Sequence, residues 1–126
     1  MPVCYTRRMN AQIKADGRFW LTLDGKNFLG RGRVELLQRI RETGSISKAA
    51  KAMKMSYKAA WDAVDAMNTA WTSPLVESGP AGSHLTPEAE RLIEAFQKAE
   101  ARHAAFMHTL TQDLSTRPAN EPTRAK

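Results

Sequence analysis

The chain has 126 residues, 42% of them apolar, with 19 Lys plus Arg against 13 Asp plus Glu and a single cysteine. That length suits one domain with a modest core. The lone Cys4 excludes an internal disulfide, and no apolar run approaches membrane-spanning length. The positive charge is uneven: net +3 over residues 1–30, +4 over residues 31–72 and −1 over residues 73–126. Basic charge concentrated in this way points to a polyanionic partner. The first residues, MPVCYTRRMNAQIK, lack the apolar core of a signal peptide, so a cytoplasmic location is expected.

Residues 1–17 show no periodicity and read as a flexible arm. Arg7, Arg8 and Lys14 are available there to a phosphate backbone, or the segment is a frayed terminus. In RFWLTL, residues 18–23, the alternation places Phe19, Leu21 and Leu23 on one face of a strand and Trp20 and Thr22 on the other. Asp24-Gly25 signals a turn, and Phe28-Leu29 supplies a second short apolar piece, which together predict a small hairpin. Gly30 and Gly32 are expected to break the chain before the next element.

Over residues 33–43 the apolar positions Val34, Leu37 and Ile40, widened by Leu36, predict a helix with Arg33, Arg39 and Arg41 off its buried stripe. Gly44 stands where a C-terminal cap belongs.

The following stretch, GSISKAAKAMKMSYKAAWDAVDAMN from Gly44 to Asn68, reads as two short helices joined by a tight turn. No acidic residue lies between Glu42 and Asp62, whereas Lys48, Lys51, Lys54 and Lys58 all do. Ser45 caps the first helix, which buries Ile46, Ala49, Ala50 and Met53; Ser56 caps the second, which buries Ala60, Val64, Met67 and Trp71. The paired alanines let another helix cross closely. A recognition helix exposes its N-terminal turn to the major groove while its other face is buried. Here that turn carries Ser56, Tyr57 and Lys58, all able to hydrogen-bond, while Ser45, Lys48 and Lys51 are placed for backbone contacts that position rather than specify. Trp61, one residue off the stripe, either packs at the edge of the core or stacks on sugar or a thymine methyl. Asp62 and Asp65 read as helix-face charges rather than base readers.

Leu75-Val76-Glu77 and His84-Leu85-Thr86 are strand-like, with a flexible loop Ser78–Ser83 between them. A hairpin directly after a recognition helix is a wing. It carries no Lys or Arg at its tip, so its contacts are expected from backbone N–H groups, Ser83 or His84. Thr86 and Pro87 then start a long helix over residues 87–114, with Glu88 and Glu90 in its first turn. Ala89, Leu92, Phe96, Ala99, His103, Phe106 and Leu110 recur at steps of three and four, a heptad seam flanked by Ile93, Met107 and Leu114. At about 1.5 Å per residue such a helix is roughly 40 Å long. A small domain does not cover both sides of it, and a homodimer built on this helix is expected. Residues 115–126, STRPANEPTRAK, read as a disordered tail.

No catalytic, metal or cofactor site emerges. His84, His103 and His108 do not combine with Cys4 or with carboxylates at metal-ligand spacing, and GRG at 30–32 is too short for a phosphate-cradling loop. The expected fold is mainly α: a winged helix-turn-helix over residues 18–86, with a small N-terminal hairpin and a long C-terminal dimerisation helix.

The stretch from Gly44 to Asn68, and within it Ser56-Tyr57-Lys58-Ala59-Ala60-Trp61-Asp62-Ala63, resembles the DNA-binding segment of the molybdate-responsive regulators called ModE, whose winged helix-turn-helix is related to that of LysR-type regulators. LVE at 75–77, a Gly-rich loop and LT at 85–86 before a long helix match in the same order, and the likeness covers roughly residues 18–112. It implies a transcription factor that, as a homodimer on its long helix, places two recognition helices on a palindromic double-stranded DNA operator. In that carry-over Ser56, Tyr57 and Lys58 begin the reading helix and Ser78–Ser83 form the wing. Members of the family carry C-terminal domains that bind molybdate. This sequence stops at residue 126, so the expectation is that it does not sense the oxyanion by that route. A different class of function also fits: a protein-interaction module whose long helix binds a partner regulator on a winged-helix scaffold.

Overall fold

In the computed structural model, which describes residues 11–115, the elements run β1 (Leu21–Leu23), β2 (Lys26–Leu29), α1 (Arg31–Thr43), α2 (Ile46–Ala52), α3 (Tyr57–Ala70), β3 (Val76–Gly79), β4 (Gly82–Leu85) and α4 (Pro87–Ser115). Arg7 and Arg8, and the expected tail beyond Ser115, lie outside the described residues. The described residues form two compact units, one of Phe19–Glu100 and one that pairs residues 11–18 with the part of α4 from Ala101 onward.

In the first unit β1 and β2 are antiparallel, and their turn is the expected Asp24-Gly25 with both residues at positive φ, 53° and 81°. Positive φ at both central residues is the geometry whose twist matches a two-residue hairpin. Phe19, Leu21 and Leu23 pack against the core while Trp20 and Thr22 face out, as alternation predicts. The register slips between Leu21 and Thr22, leaving Phe28 as an extra residue on β2, and both Phe28 and Leu29 are buried. A bulge is what lets two successive strand residues escape strict alternation.

α1 begins two residues before the predicted start. Gly30 is its N-cap, and Gly32 lies inside the helix rather than breaking the chain ahead of it. Arg33 donates to the Phe28 carbonyl oxygen at 2.9 Å, tying the first turn of α1 to the end of β2. The buried stripe is Val34, Leu36, Leu37 and Ile40, and the helix ends at Gly44, whose N–H donates to the Ile40 carbonyl oxygen from φ 71°.

α2 and α3 start on the serines named from the sequence. The Ser45 hydroxyl accepts from the Lys48 N–H, and that of Ser56 from the Ala59 N–H. The turn between them is closed by two backbone bonds, Lys54 N–H to Lys51 O at 3.1 Å and Met55 N–H to Ala50 O at 3.0 Å. This is a Schellman arrangement, with Lys54 in the left-handed position at φ 57° and Met55 packed back onto the core. Glycine is the usual occupant there, so the turn carries no compositional signal.

The core gathers Leu29, Leu36, Leu37, Ile40, Ala49, Ala50, Ala60, Val64, Met67 and Leu75, all buried, together with Ala89, Ile93 and Phe96 of α4. Truncating a fully buried leucine such as Leu37 to alanine costs about 2–5 kcal/mol. Phe19 packs on Phe96 with ring centroids 5.4 Å apart. The first unit thus continues past residue 87, the expected domain boundary, because the opening turns of α4 are part of its core.

In the second unit residues 11–18 run beside the end of α4 rather than hanging free. The Ala15 N–H donates to the Thr111 hydroxyl at 2.8 Å, and a Cβ on Gly17 would stand 3.4 Å from the Met107 sulfur and 3.5 Å from the His103 ring. The described part of the expected flexible arm is therefore an extended strap with its own helix partner. No helix among the described residues is long and apolar enough to cross a membrane.

Candidate nucleic-acid interface

The helix-turn-helix buries one side of α3 and presents the other. Ala60, Val64 and Met67 face the core, while Tyr57 is 55% exposed and Trp61 47% exposed. Spacing of four places Tyr57 and Trp61 one above the other on the same outward face. Trp61 therefore does not pack at the edge of the core, the first of its two sequence readings; it stands on the open side of the helix. The first turn of α3 holds no acidic residue, and Lys48 and Lys51 of α2 are exposed.

Lys58 is also exposed on α3, and its Nζ lies 2.8 Å from the Asp62 carboxylate one turn along. The hydrogen bond to Asp62, reinforced by its charge, holds the Lys58 ammonium above the ordinary lysine value, so it stays protonated at any physiological pH.

Two serines are partly committed. Ser45 is half-buried; its hydroxyl oxygen accepts from the Lys48 N–H at 3.1 Å, which leaves its own hydrogen to donate. Ser56 is exposed with the same commitment to the Ala59 N–H.

The wing differs from its sequence reading. Residues Ser78 to Ser83 are not a flexible loop: β3 and β4 pair through Ser78 with Ser83 and Gly79 with Gly82, leaving only Pro80-Ala81 as the turn. The Ser78 and Ser83 hydroxyls are 2.7 Å apart, and the Ser83 N–H donates to the Gly44 carbonyl oxygen at 2.9 Å. That N–H is thus engaged within the protein and not available to a ligand. His84 is exposed, with its Nε2 3.4 Å from Glu77 on the facing strand.

Three side chains make contacts that the sequence did not announce, and the first, Asn68, ties the start of the wing to the reading helix. The Asn68 side-chain oxygen accepts from the Leu75 N–H at 2.8 Å and the Val76 N–H at 3.1 Å, and its amide nitrogen donates to the Val76 carbonyl oxygen at 3.0 Å. Trp71 stacks on Phe28 at 5.3 Å and its indole N–H donates to Glu88 at 3.0 Å. The Thr86 hydroxyl, beyond capping α4 at Ala89, donates to the Pro74 carbonyl oxygen at 2.9 Å. Only the cap is visible in the sequence; an asparagine inside a helix and an indole N–H carry no partner label until the chain is folded.

The heptad seam divides. Ala89 and Phe96 are fully buried in the first unit and Leu92 packs against its core, so Ala89 and Phe96 have no surface left for a second chain. Ala99 is half-buried. His103 and Leu110 are half-buried and Phe106 is 57% exposed in the second unit, where Ile13 and Leu114 are also exposed apolar side chains. Among the described residues no group of three His, Cys, Asp or Glu is placed to hold a metal ion.

Residues 32–90, from α1 to the first turn of α4, match the family described as bacterial regulatory helix-turn-helix protein, lysR family. The chain carries a LysR-type helix-turn-helix. It is 43% identical over 96 residues to the molybdenum-pterin-binding protein MopB of Rhodobacter capsulatus, covering 72% of this chain and 36% of that protein. It is 40% identical over 106 residues to the transcriptional regulator ModE of Yersinia pestis, covering 80% and 40%. With the DNA-binding transcriptional dual regulator ModE of Escherichia coli it shares 39% identity over 100 residues, covering 75% and 38%. The chain thus spans about two fifths of the length of these relatives and matches the DNA-binding part of the ModE regulators. In solved structures the same LysR-type fold occurs in the BenM DNA-binding domain bound to benA site 1 DNA, with TM-score 0.52 and 17% identity over 67% of this chain and 96% of that one. It occurs again in the CbnR DNA-binding domain bound to DNA, with TM-score 0.51 and 18% identity over 59% and 85%.

Proposed function

We propose that this chain is a sequence-specific DNA-binding transcriptional regulator, acting as a homodimer on a palindromic duplex and controlling molybdenum-related genes. The observation that carries the reading is the start of α3: Ser56, Tyr57 and Lys58 are all exposed, with no acidic residue before Asp62, beside the exposed Lys48 and Lys51 of α2. Such a surface offers donors to base edges from one helix and cations to phosphate from the other. The molybdenum assignment is supported by the names of the relatives, MopB and ModE. Assembly through a second copy is supported by the apolar side chains Ile13, Phe106 and Leu114, exposed on the second unit. The reading assigns the chain no catalytic step and no cofactor, and places it in the cytoplasm with the DNA.

Fluorescence anisotropy of the full chain with labelled duplex, titrated across salt, tests this. The expected result is binding whose log K falls linearly with log salt, by about 0.9 for each phosphate contact, with a palindromic duplex recovered by selection from random sequence. No duplex binding at low salt, with the chain folded by circular dichroism, overturns the proposal.

A further inference from the structure

The Lys58–Asp62 pair has no evident structural purpose. It is an exposed pair four residues apart, with side-chain exposures of 83% and 54%, and pairs of that kind contribute little to stability. Its orientation is also the less favourable one. Lys58 sits in the first turn of α3, where the helix dipole is positive, and the acid follows it; a helix is better supported by the acid leading. Asp62 moreover is exposed on the side of α3 turned away from the core. A carboxylate there repels every phosphate backbone, whatever the sequence. By spacing alone Asp62 is a helix-face charge, but its hydrogen bond to Lys58 sets an acceptor beside a donor on that side of the helix.

We propose that Asp62 is a specificity-determining residue: paired with Lys58, it reads a C·G base pair in the major groove, its carboxylate accepting from the cytosine amino group while Lys58 donates to guanine. This rests on the DNA-binding reading above. A carboxylate accepts only where the groove presents an amino hydrogen, and lysine donates to guanine O6 and N7. Where the groove presents acceptors instead, Asp62 meets like partial charge and binding is rejected. The residue therefore lowers affinity for all DNA and recovers it at one base pair, which is how a repulsive element generates discrimination.

The test is selection of duplexes from random sequence by the full chain, followed by titration of selected and scrambled duplexes, for wild type, Asp62→Asn and Asp65→Asn. Asp65 is exposed on α3 and its substitution removes the same charge without touching Lys58. Wild type is expected to require C·G at one position of each half-site. Asp62→Asn should bind scrambled duplex more tightly and lose about tenfold in preference at that position, while Asp65→Asn tightens scrambled binding and leaves the selected motif unchanged. A motif identical for wild type and Asp62→Asn at every position overturns the inference while leaving DNA binding intact. So does an Asp62→Asn effect spread evenly over all positions with a lowered melting temperature, the pattern of a structural role. Absence of duplex binding by wild type overturns the DNA-binding reading and this inference together.

Discussion

Gly82 of the wing lies against Gly44, the cap of α1: a Cβ built on Gly82 would stand 2.6 Å from the Gly44 carbonyl oxygen. The same oxygen accepts the Ser83 N–H at 2.9 Å. The wing is thus seated on the joint between α1 and the helix-turn-helix by a backbone approach that only a residue without a side chain permits. Gly82 also has φ 113°, a conformation that L side chains rarely adopt.

Gly82→Ala is expected to destabilise the protein by about 1–3 kcal/mol, since the backbone strain and the collision with a carbonyl act together. Gly79→Ala, on the paired position of β3, meets nothing within 4 Å and has no positive φ. It should leave the urea midpoint within the experimental spread. Equal midpoints for the two variants would show that the close approach does not hold the wing.

Asn68→Ala should cost about 2–3 kcal/mol, because it leaves the part-buried N–H groups of Leu75 and Val76 without their acceptor. Asn68→Asp keeps an acceptor but loses the donor to the Val76 carbonyl oxygen and is expected to fall between Ala and wild type. Chemical denaturation of the three proteins orders them; Asp no better than Ala would count against the acceptor role.

These two contacts mark where the sequence stops being readable. Ser45, Ser56, Gly44 and the Asp24-Gly25 turn announce local geometry because their chemistry acts within a few residues, and each stands in its expected role. Ala60, Val64 and Met67 follow helical spacing and are buried. The left-handed residue of the central turn fell on Lys54, which no residue-type rule selects. The same limit governs the long helix. Its seam keeps the same alternation of three- and four-residue steps throughout, so periodicity cannot separate Ala89 and Phe96, which serve the chain's own core, from Phe106, which faces out. Which covering surface a stripe finds is decided by tertiary packing.

Glu88 accepts hydrogen bonds from Arg91 and from the Trp71 indole, and these, Arg91 first, hold its carboxyl below the ordinary carboxylate range. A depressed folded-state value contributes stability that is present above the unfolded value and lost as pH falls through the folded one. Wild type should therefore lose stability on acidification through and below the ordinary Glu range. Glu88→Gln keeps an acceptor for the indole but cannot ionise, so its urea midpoint should decline less steeply from about pH 6 to about pH 3. Parallel curves for the two proteins would remove Glu88 from the acid response.

Phe96 and Phe106 both belong to the heptad seam but have opposite surroundings, 1% and 57% exposed. Phe96→Ala should lose about 3–5 kcal/mol of stability wherever the oligomeric state stands. Phe106→Asp should leave the secondary structure intact and shift the protein toward monomer in analytical ultracentrifugation, since a charge is placed on the apolar surface assigned to the second copy. A Phe106→Asp protein that sediments as wild type would move the interface elsewhere.

Lys48 and Lys51 differ from Lys58 in what they are expected to do on DNA. The two α2 lysines are exposed and lie off the reading helix, a placement suited to phosphate, where contact carries no base information. Lys48→Ala and Lys51→Ala should each weaken binding by a similar factor on selected and scrambled duplexes and reduce the salt slope by about 0.9. Lys58→Ala should instead cost about 1–3 kcal/mol on the selected duplex and far less on the scrambled one. It also frees Asp62 from its partner, so an unneutralised carboxylate then faces the groove and scrambled duplex should not bind more tightly than it does to wild type. Anisotropy titrations at three salt concentrations separate the classes. A Lys58→Ala loss that is equal on both duplexes and comes with the same slope change as Lys48→Ala would reassign Lys58 to the phosphate backbone.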